Sequence, residues 1–280
     1  MVVPFNSVSL SLAKTTHESA VINGNRNIQD VIMGAHSVSG DISFHLAHQP
    51  AYIDMFEGLL GDSTASSGAY GVGLDRQSYT IQQSFDTDLQ GGNDNHQYTG
   101  CEINTFSMTI PADGLIECSF SIIGATMSTA TASTDTDPDD TGANYVETNN
   151  PFHSSQVTIT EGTANSITTD LSLTIENGIS TSNRVGSNIP IKGGIGKCRV
   201  SGSMTCHFTS DALLAKFIDN TSSALTISMG SGATGLSFAM PKIIYTTGAV
   251  EVTEGLLSVA VDFVAVSNDG ASTITIDTIL

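Results

Sequence analysis

The sequence predicts a mainly β protein of the α+β kind, made of two tandem β-sandwich or barrel units that each carry one short helix. Three observations lead there. Apolar and polar residues alternate with period two in one segment after another, which is the pattern of a sheet with one dry and one wet face. The composition favours strands and turns over helices. One run of strands and helix occurs twice in the 280 residues.

The alternation is clearest in SVSGDISFHL, Ser37 to Leu46. Val38, Gly40, Ile42, Phe44 and Leu46 fall on one side, and Ser39, Asp41, Ser43 and His45 on the other. The second occurrence is RVSGSMTCHF, Arg199 to Phe208, with Val, Ser, Gly and His at matching places. Its wet side carries Ser201, Ser203, Thr205 and His207. Upstream, Val8–Lys14 aligns with Leu171–Asn177, both alternating strands. Downstream, each strand is followed by a helical segment. PAYIDMFEGLL, Pro50 to Leu60, begins with Pro and spaces Tyr52, Ile53, Phe56, Leu59 and Leu60 along one face. SDALLAKFIDN, Ser210 to Asn220, has Ser210 as the expected N-cap and Leu213, Leu214, Phe217 and Ile218 on one face.

The closing hairpins align as well, Ala112–Ala125 with Thr253–Val266, with Gly114 and Gly255 in the turns. The second version is shorter between helix and hairpin, and the surplus of the first falls in the Gly- and Asp-rich run 61–100. These boundaries give a first unit at 1–130, an acidic linker or loop at 131–153 and a second unit at 154–280. The linker, TASTDTDPDDTGANYVETNNPF from residue 131, has no apolar periodicity.

Composition narrows the function. The chain is 39% hydrophobic and 13% charged, with 27 Gly and no Trp, a globular balance rather than a disordered one. Nine Lys plus Arg against 28 Asp plus Glu give a net charge of -19, which disfavours affinity for phosphate backbones and anionic membranes. No cation lies between Arg76 and Arg184, whereas Arg184, Lys192, Lys197 and Arg199 cluster. The acidic region and the basic patch are expected either to meet across a subunit contact or to be solvated separately. The four Cys have no metal-ligand spacing and read mostly as reduced and buried, with Cys206 at a dry-face position. The opening MVVPFNSVSLSLAK has neither a basic start nor a continuous apolar run, so no secretory signal is expected, and no run is long enough for a membrane helix.

No constellation for chemistry emerges. The seven His (17, 36, 45, 48, 96, 153 and 207) form no ligand pair with carboxylates, and no nucleophile elbow, phosphate loop or dinucleotide fingerprint occurs. His36, His45 and His48 are expected to be solvated polar residues. Asp135–Asp140 loosely follows a calcium loop but has Asp140 where Gly is needed and Val146 where the closing Glu is needed. An acidic loop is the preferred reading there, with a weak calcium site as its alternative. The expectation is no catalytic residue, no cofactor and no metal.

Tyr98, Thr99, Gly100, then Asn104, Thr105, Phe106 and Ser107, then Gly114, Phe120, Ser121 and Gly124 make up a pattern that resembles the tail tube proteins of long-tailed, siphovirus-type bacteriophages. SLTIENG, residues 172–178, is similar to the segment that opens that family's tube domain. The second unit departs from the pattern, since Ile244–Ala249 lacks the Tyr-Thr-Gly. The resemblance implies a virion structural protein, assembled in the host cytoplasm and resident in the virion tail. It implies stacked rings around a DNA conduit, with three two-unit chains in place of six single ones. Its partners would be itself, other tail proteins, and double-stranded DNA in transit without specific binding; no membrane is involved. Ser39, Asp41, Ser43, His45, Ser201, Ser203, Thr205 and His207 are then candidates for the channel lining, with the outer surface or a subunit contact as the competing placement. The rival class is an extracellular β-sandwich adhesin or carbohydrate-binding module, against which the absent Trp and absent signal count. A capsid decoration or tail-tip role is hard to separate from a tube by sequence, and a hydrolase has no constellation to support it.

Overall fold

The computed structural model describes residues 2–278 apart from 22, 23, 25, 26, 29, 63–67, 86–94, 131–149, 163, 166, 209, 231, 254 and 255. The strands of the first half are β1 (Ser7–Val8), β2 (Ser11–Glu18), β3 (Val31–His45), β4 (Ala69–Gly71), β5 (Tyr79–Ser84), β6 (Asn95–Ile110), β7 (Glu117–Gly124) and β8 (Thr126–Ala130). The second half supplies β9 (Val157–Glu161), β10 (Ala164–Asn165), β11 (Thr168–Glu176), β12 (Thr181–Arg184), β13 (Ser187–Lys192) and β14 (Arg199–His207). After these come β15 (Ser223–Met229), β16 (Leu236–Tyr245), β17 (Ala249–Thr253), β18 (Leu256–Ala265) and β19 (Thr275–Asp277). Helix α1 (Pro50–Leu60) follows β3, and helix α2 (Ala212–Ile218) follows β14. The fold is mainly β, as the alternation predicts, with two short α-helices among the described residues.

The principal sheet is antiparallel throughout and crosses both halves. Its order is β2–β3–β7–β6 and then β11–β14–β18–β17, joined where β6 pairs with β11. The joint runs from Leu171 opposite Ile110 to Glu176 opposite Thr105. The stretches that align in sequence also keep one register. Val8 lies opposite Ile42 as Leu171 lies opposite Met204, and Gly40 opposite Ile122 as Gly202 opposite Phe263.

That repeated glycine has a steric cause. A Cβ on Gly40 would stand 2.6 Å from the Leu10 Cα, and one on Gly202 would stand 2.3 Å from the Ser172 oxygen and 2.6 Å from the Phe263 ring. Neighbouring strands approach too closely there for any side chain.

A second layer forms where the long strands leave the principal sheet. The first part of β6 pairs with β5 and β8, and the first part of β16 with β15 and β19. β9 borders β15, and β19 also pairs with β4, so the end of the chain is tied to the first half. Dry-face residues of both layers share one core. Phe56 of α1 meets Phe106 at 5.1 Å, Phe120 at 5.4 Å and Phe238 at 5.7 Å, so aromatic packing passes from one half to the other.

The two helices differ. α1 starts with Pro50, ends on Gly61 in the left-handed conformation, and buries Tyr52, Phe56, Leu59 and Leu60. α2 has Asp211 rather than Ser210 as its N-cap residue, without a side-chain cap bond; Ser210 Oγ only accepts from the Ala212 amide at 3.5 Å. None of its residues is buried, and Ile218 is 69% exposed. Its expected apolar face therefore rests against the sheet only through Leu213, Leu214 and Phe217, all half-buried. A further departure is Phe152, placed by sequence in an exposed linker. It is buried, and its backbone bonds to Leu46 and Ile116. The stretch 131–149, with the candidate calcium loop Asp135–Asp140, lies outside the described residues.

Candidate assembly surface

The eight candidate lining residues occupy one face of the principal sheet. On β3, Ser39 and Asp41 are exposed and Ser43 and His45 half-buried, while Val38, Ile42 and Phe44 between them are buried. On β14, Ser201, Ser203, Thr205 and His207 are half-buried, while Val200, Met204 and Cys206 are buried. The pairings carry this polar face across the joint. One row reads Ser43, Ser119, Ser107, Thr174 and Ser201, strand by strand. Another reads His45, Glu117, Thr109, Ser172, Ser203 and Asp262. Hydroxyls pair along the rows, Ser107 with Ser119 and Ser172 with Ser203, each at 2.8 Å.

The histidines are less solvated than the sequence reading expected. His36 lies 3.2 Å from the Thr126 hydroxyl and His48 is 2.9 Å from the Thr278 carbonyl oxygen. The Nδ1 of His45 is buried without a hydrogen-bond partner among the described residues. The packing of neighbouring strands, which alternation does not reveal, covers them.

The two outer edges of this sheet are β2 and β17, each with a strand partner on one side only among the described residues. Their dry-face residues are less covered than those at the internal joint. Met108, opposite Cys118, is 1% exposed, whereas Val250, opposite Val259, is 41% exposed and Val252 70%. Likewise Val8 of β1, which pairs with β3 on the same side, and Leu12 of β2 are half-buried, with Leu10 between them buried, whereas Leu171 and Ile175 are fully buried. An uncovered strand edge with apolar side chains is a surface for pairing with another strand.

Two ion clusters were not foreseen. Glu102, 5% exposed in β6, receives Nε and Nη2 of Arg76 on one oxygen and has Lys192 Nζ 2.8 Å from the other. Arg76 also donates to the Gly193 carbonyl at 2.6 Å. The β12–β13 arm of the second half is thereby fastened to the first half, over a cavity of about 210 Å³ lined by Glu102, Ile123, Gly124, Ile179, Pro190 and Ile191. So one member of the basic patch, Lys192, meets its acid within the chain. In the other cluster Lys216 of α2 lies 2.7 and 2.8 Å from the two Glu161 oxygens, and the Tyr245 hydroxyl donates to Oε1 at 2.8 Å. Burial works to raise the Glu161 carboxyl, but bonds from Lys216, Ser223 and Tyr245 outweigh it and hold it below its ordinary value. Burial pushes the Tyr245 hydroxyl up, and the neighbouring carboxylate adds to this. A lone carboxylate within a mostly apolar strand, as in YTGCEINTF, is the sequence signal for such a site.

Among the described residues no helix is long and apolar enough to cross a membrane, and no group of three or more His, Cys, Asp or Glu could hold a metal ion. No curated protein matches the chain. A family model described as phage tail tube protein matches residues 2–277. With that match spanning nearly the whole length, the chain belongs to the phage tail tube protein family, as a structural component of the virion tail.

Proposed function

We propose that this protein is the major tail tube subunit, a duplicated tube fold in which 1–130 and 154–280 are two equivalent units joined by 131–153. Three chains close into a pseudo-hexameric ring, and the rings stack into the conduit for DNA ejection. The observation that carries this reading is the β6–β11 pairing. It sets the last strand of one four-strand run beside the first strand of the next, head to tail. Repeating the contact between chains sets β17 of one against β2 of its neighbour. A head-to-tail contact that closes on itself gives a ring and leaves no sheet edge free.

The exposed Val250 and Val252 of β17 and the half-buried Leu12 of β2, against the buried counterparts at β6 and β11, support the same reading. The common register of the aligned stretches supports duplication. In such a ring the polar face bearing Ser39, Asp41, Ser43, His45, Ser201, Ser203, Thr205 and His207 would line the channel. Hydroxyls and carboxylates offer DNA phosphates no cationic anchor, which suits passage without retention. The role is structural, with no reaction, cofactor or metal, and siphovirus-type tails are the setting. Partners are other copies of the chain, other tail proteins, and DNA in transit.

Electron microscopy of the concentrated, purified protein tests this. Hollow tubes of stacked rings with three-fold symmetry and six similar lobes are expected; rings of any other symmetry, or monomers with and without an initiating tail-tip complex, would refute it.

A further inference from the structure

The connection between β11 and β14 forms the β12–β13 arm, whose root is held on the first half by Asn177, Ile179 and the Glu102 cluster. Asn177 donates to the Leu59 and Ile103 carbonyls, and the Ile179 amide donates to Asn104 Oδ1 at 2.7 Å. The corresponding stretch of the first half runs from Lys14 within β2 to Ser37 within β3, and the aligned ends make it nearly the same length as Asn177 to Arg199. It behaves differently. Glu18 lies opposite Val31 and Thr16 opposite Met33, so beyond a register shift between Lys14 and Thr16 the arm continues as a hairpin. Val31, Ile32 and Met33 are 41%, 61% and 55% exposed.

The surface on which the second arm rests also has a counterpart. In the first half Glu102 lies opposite Ile123, beneath the arm. In the second half the matching pair is Ile244 opposite Val264, both half-buried, with no arm over them among the described residues. The two sites thus differ in a concerted way. Where the arm brings Lys192, the floor offers a carboxylate. Where one face of the arm brings Val31 and Met33, the floor offers Ile244 and Val264.

We infer that the β2–β3 arm is a clasp between subunits, laid on the Ile244–Val264 floor of a second copy of this chain. This rests on the ring reading, because the contact forms only where β2 of one chain follows β17 of another. The clasp within the chain includes an ion pair and the clasp between chains is apolar, which keeps the second arm from the apolar floor: laying Lys192 over Ile244 would take its charge away from the Glu102 carboxylate. The apolar clasp also makes assembly insensitive to salt, unlike a contact between surface charges.

The test compares monomer and tube by hydrogen–deuterium exchange and then uses charge variants. Backbone amides of residues 31–37 should exchange more slowly in tubes than in monomers. Met33→Glu should raise the critical concentration for assembly about tenfold, as loss of a buried apolar contact does, and adding Ile244→Lys to the same chain should restore it. Circular dichroism of each monomeric variant checks folding independently. Equal exchange of these amides in monomer and tube, with unchanged assembly of Met33→Glu, overturns the clasp and leaves the ring reading standing. A wild-type chain that forms no rings overturns the ring reading, and the clasp with it.

Discussion

Phe238 of β16 stacks on Phe106 of β6 at 6.0 Å and an interplanar angle of 4°. The two rings come before and after residues 131–153 in the chain, and both are fully buried. With the β6–β11 pairing they tie the two halves into one core.

Phe238→Ala should therefore weaken the whole molecule rather than the second half alone. The expected loss is about 3–5 kcal/mol, seen as a single shifted unfolding transition by both calorimetry and circular dichroism. Two separate transitions in the wild type would contradict this.

The Glu102 cluster should behave as a local fastening. Arg76 is 23% exposed and makes three hydrogen bonds, so Arg76→Met is expected to cost about 1–3 kcal/mol. Lys192 is 49% exposed, and Lys192→Met should cost under about 1 kcal/mol. In both variants exchange of amides 179–193 should accelerate before that of the core strands.

Acid should release α2. The Glu161 carboxyl ionises below its ordinary value of 4.5 in the folded chain. A folded pKa that is depressed means that the unfolded state binds more protons at low pH. The stabilisation is therefore complete above pH 4.5 and is lost as pH falls through the folded value. Melting temperatures recorded from pH 7 down to pH 3 should drop less steeply for Glu161→Gln than for wild type, from a lower starting value.

The thiols should be inert in the folded state. Cys101, Cys118 and Cys206 are buried and Cys198 is half-buried, and none of the four is in a disulfide. Burial pushes the Cys101 and Cys198 thiols up to about 11, so only about a thousandth of either is ionised at pH 8. A thiol-specific colorimetric reagent should label the native chain slowly, Cys198 first, and all four thiols quickly in denaturant.

The free edge of β17 should be needed for assembly and not for folding. Val252, at 70% exposure, replaced by Lys should leave the melting temperature within about 2 °C of wild type, as surface changes do. The same variant should abolish ring formation, as judged by light scattering and microscopy.

Much of the fold could be read directly from the chain. Period-two alternation placed Val38, Ile42 and Phe44 inside and Ser39, Asp41 and Ser43 outside, because a strand's side chains must point to opposite faces. Pro50 and the spacing of Tyr52, Phe56 and Leu60 located α1, and the repeated Val-Ser-Gly marked two strands whose registers agree. What alternation leaves open is who lies beside whom. That β11 joins β6, that Lys192 meets Glu102, that Phe152 is buried and that Ile218 is not were decided by long-range packing, since strand partners and ion pairs distant in sequence leave no local period. The polar face was thus written in the sequence residue by residue, while its continuity across both halves, and the two uncovered edges that end it, exist only once the strands are assembled into one sheet.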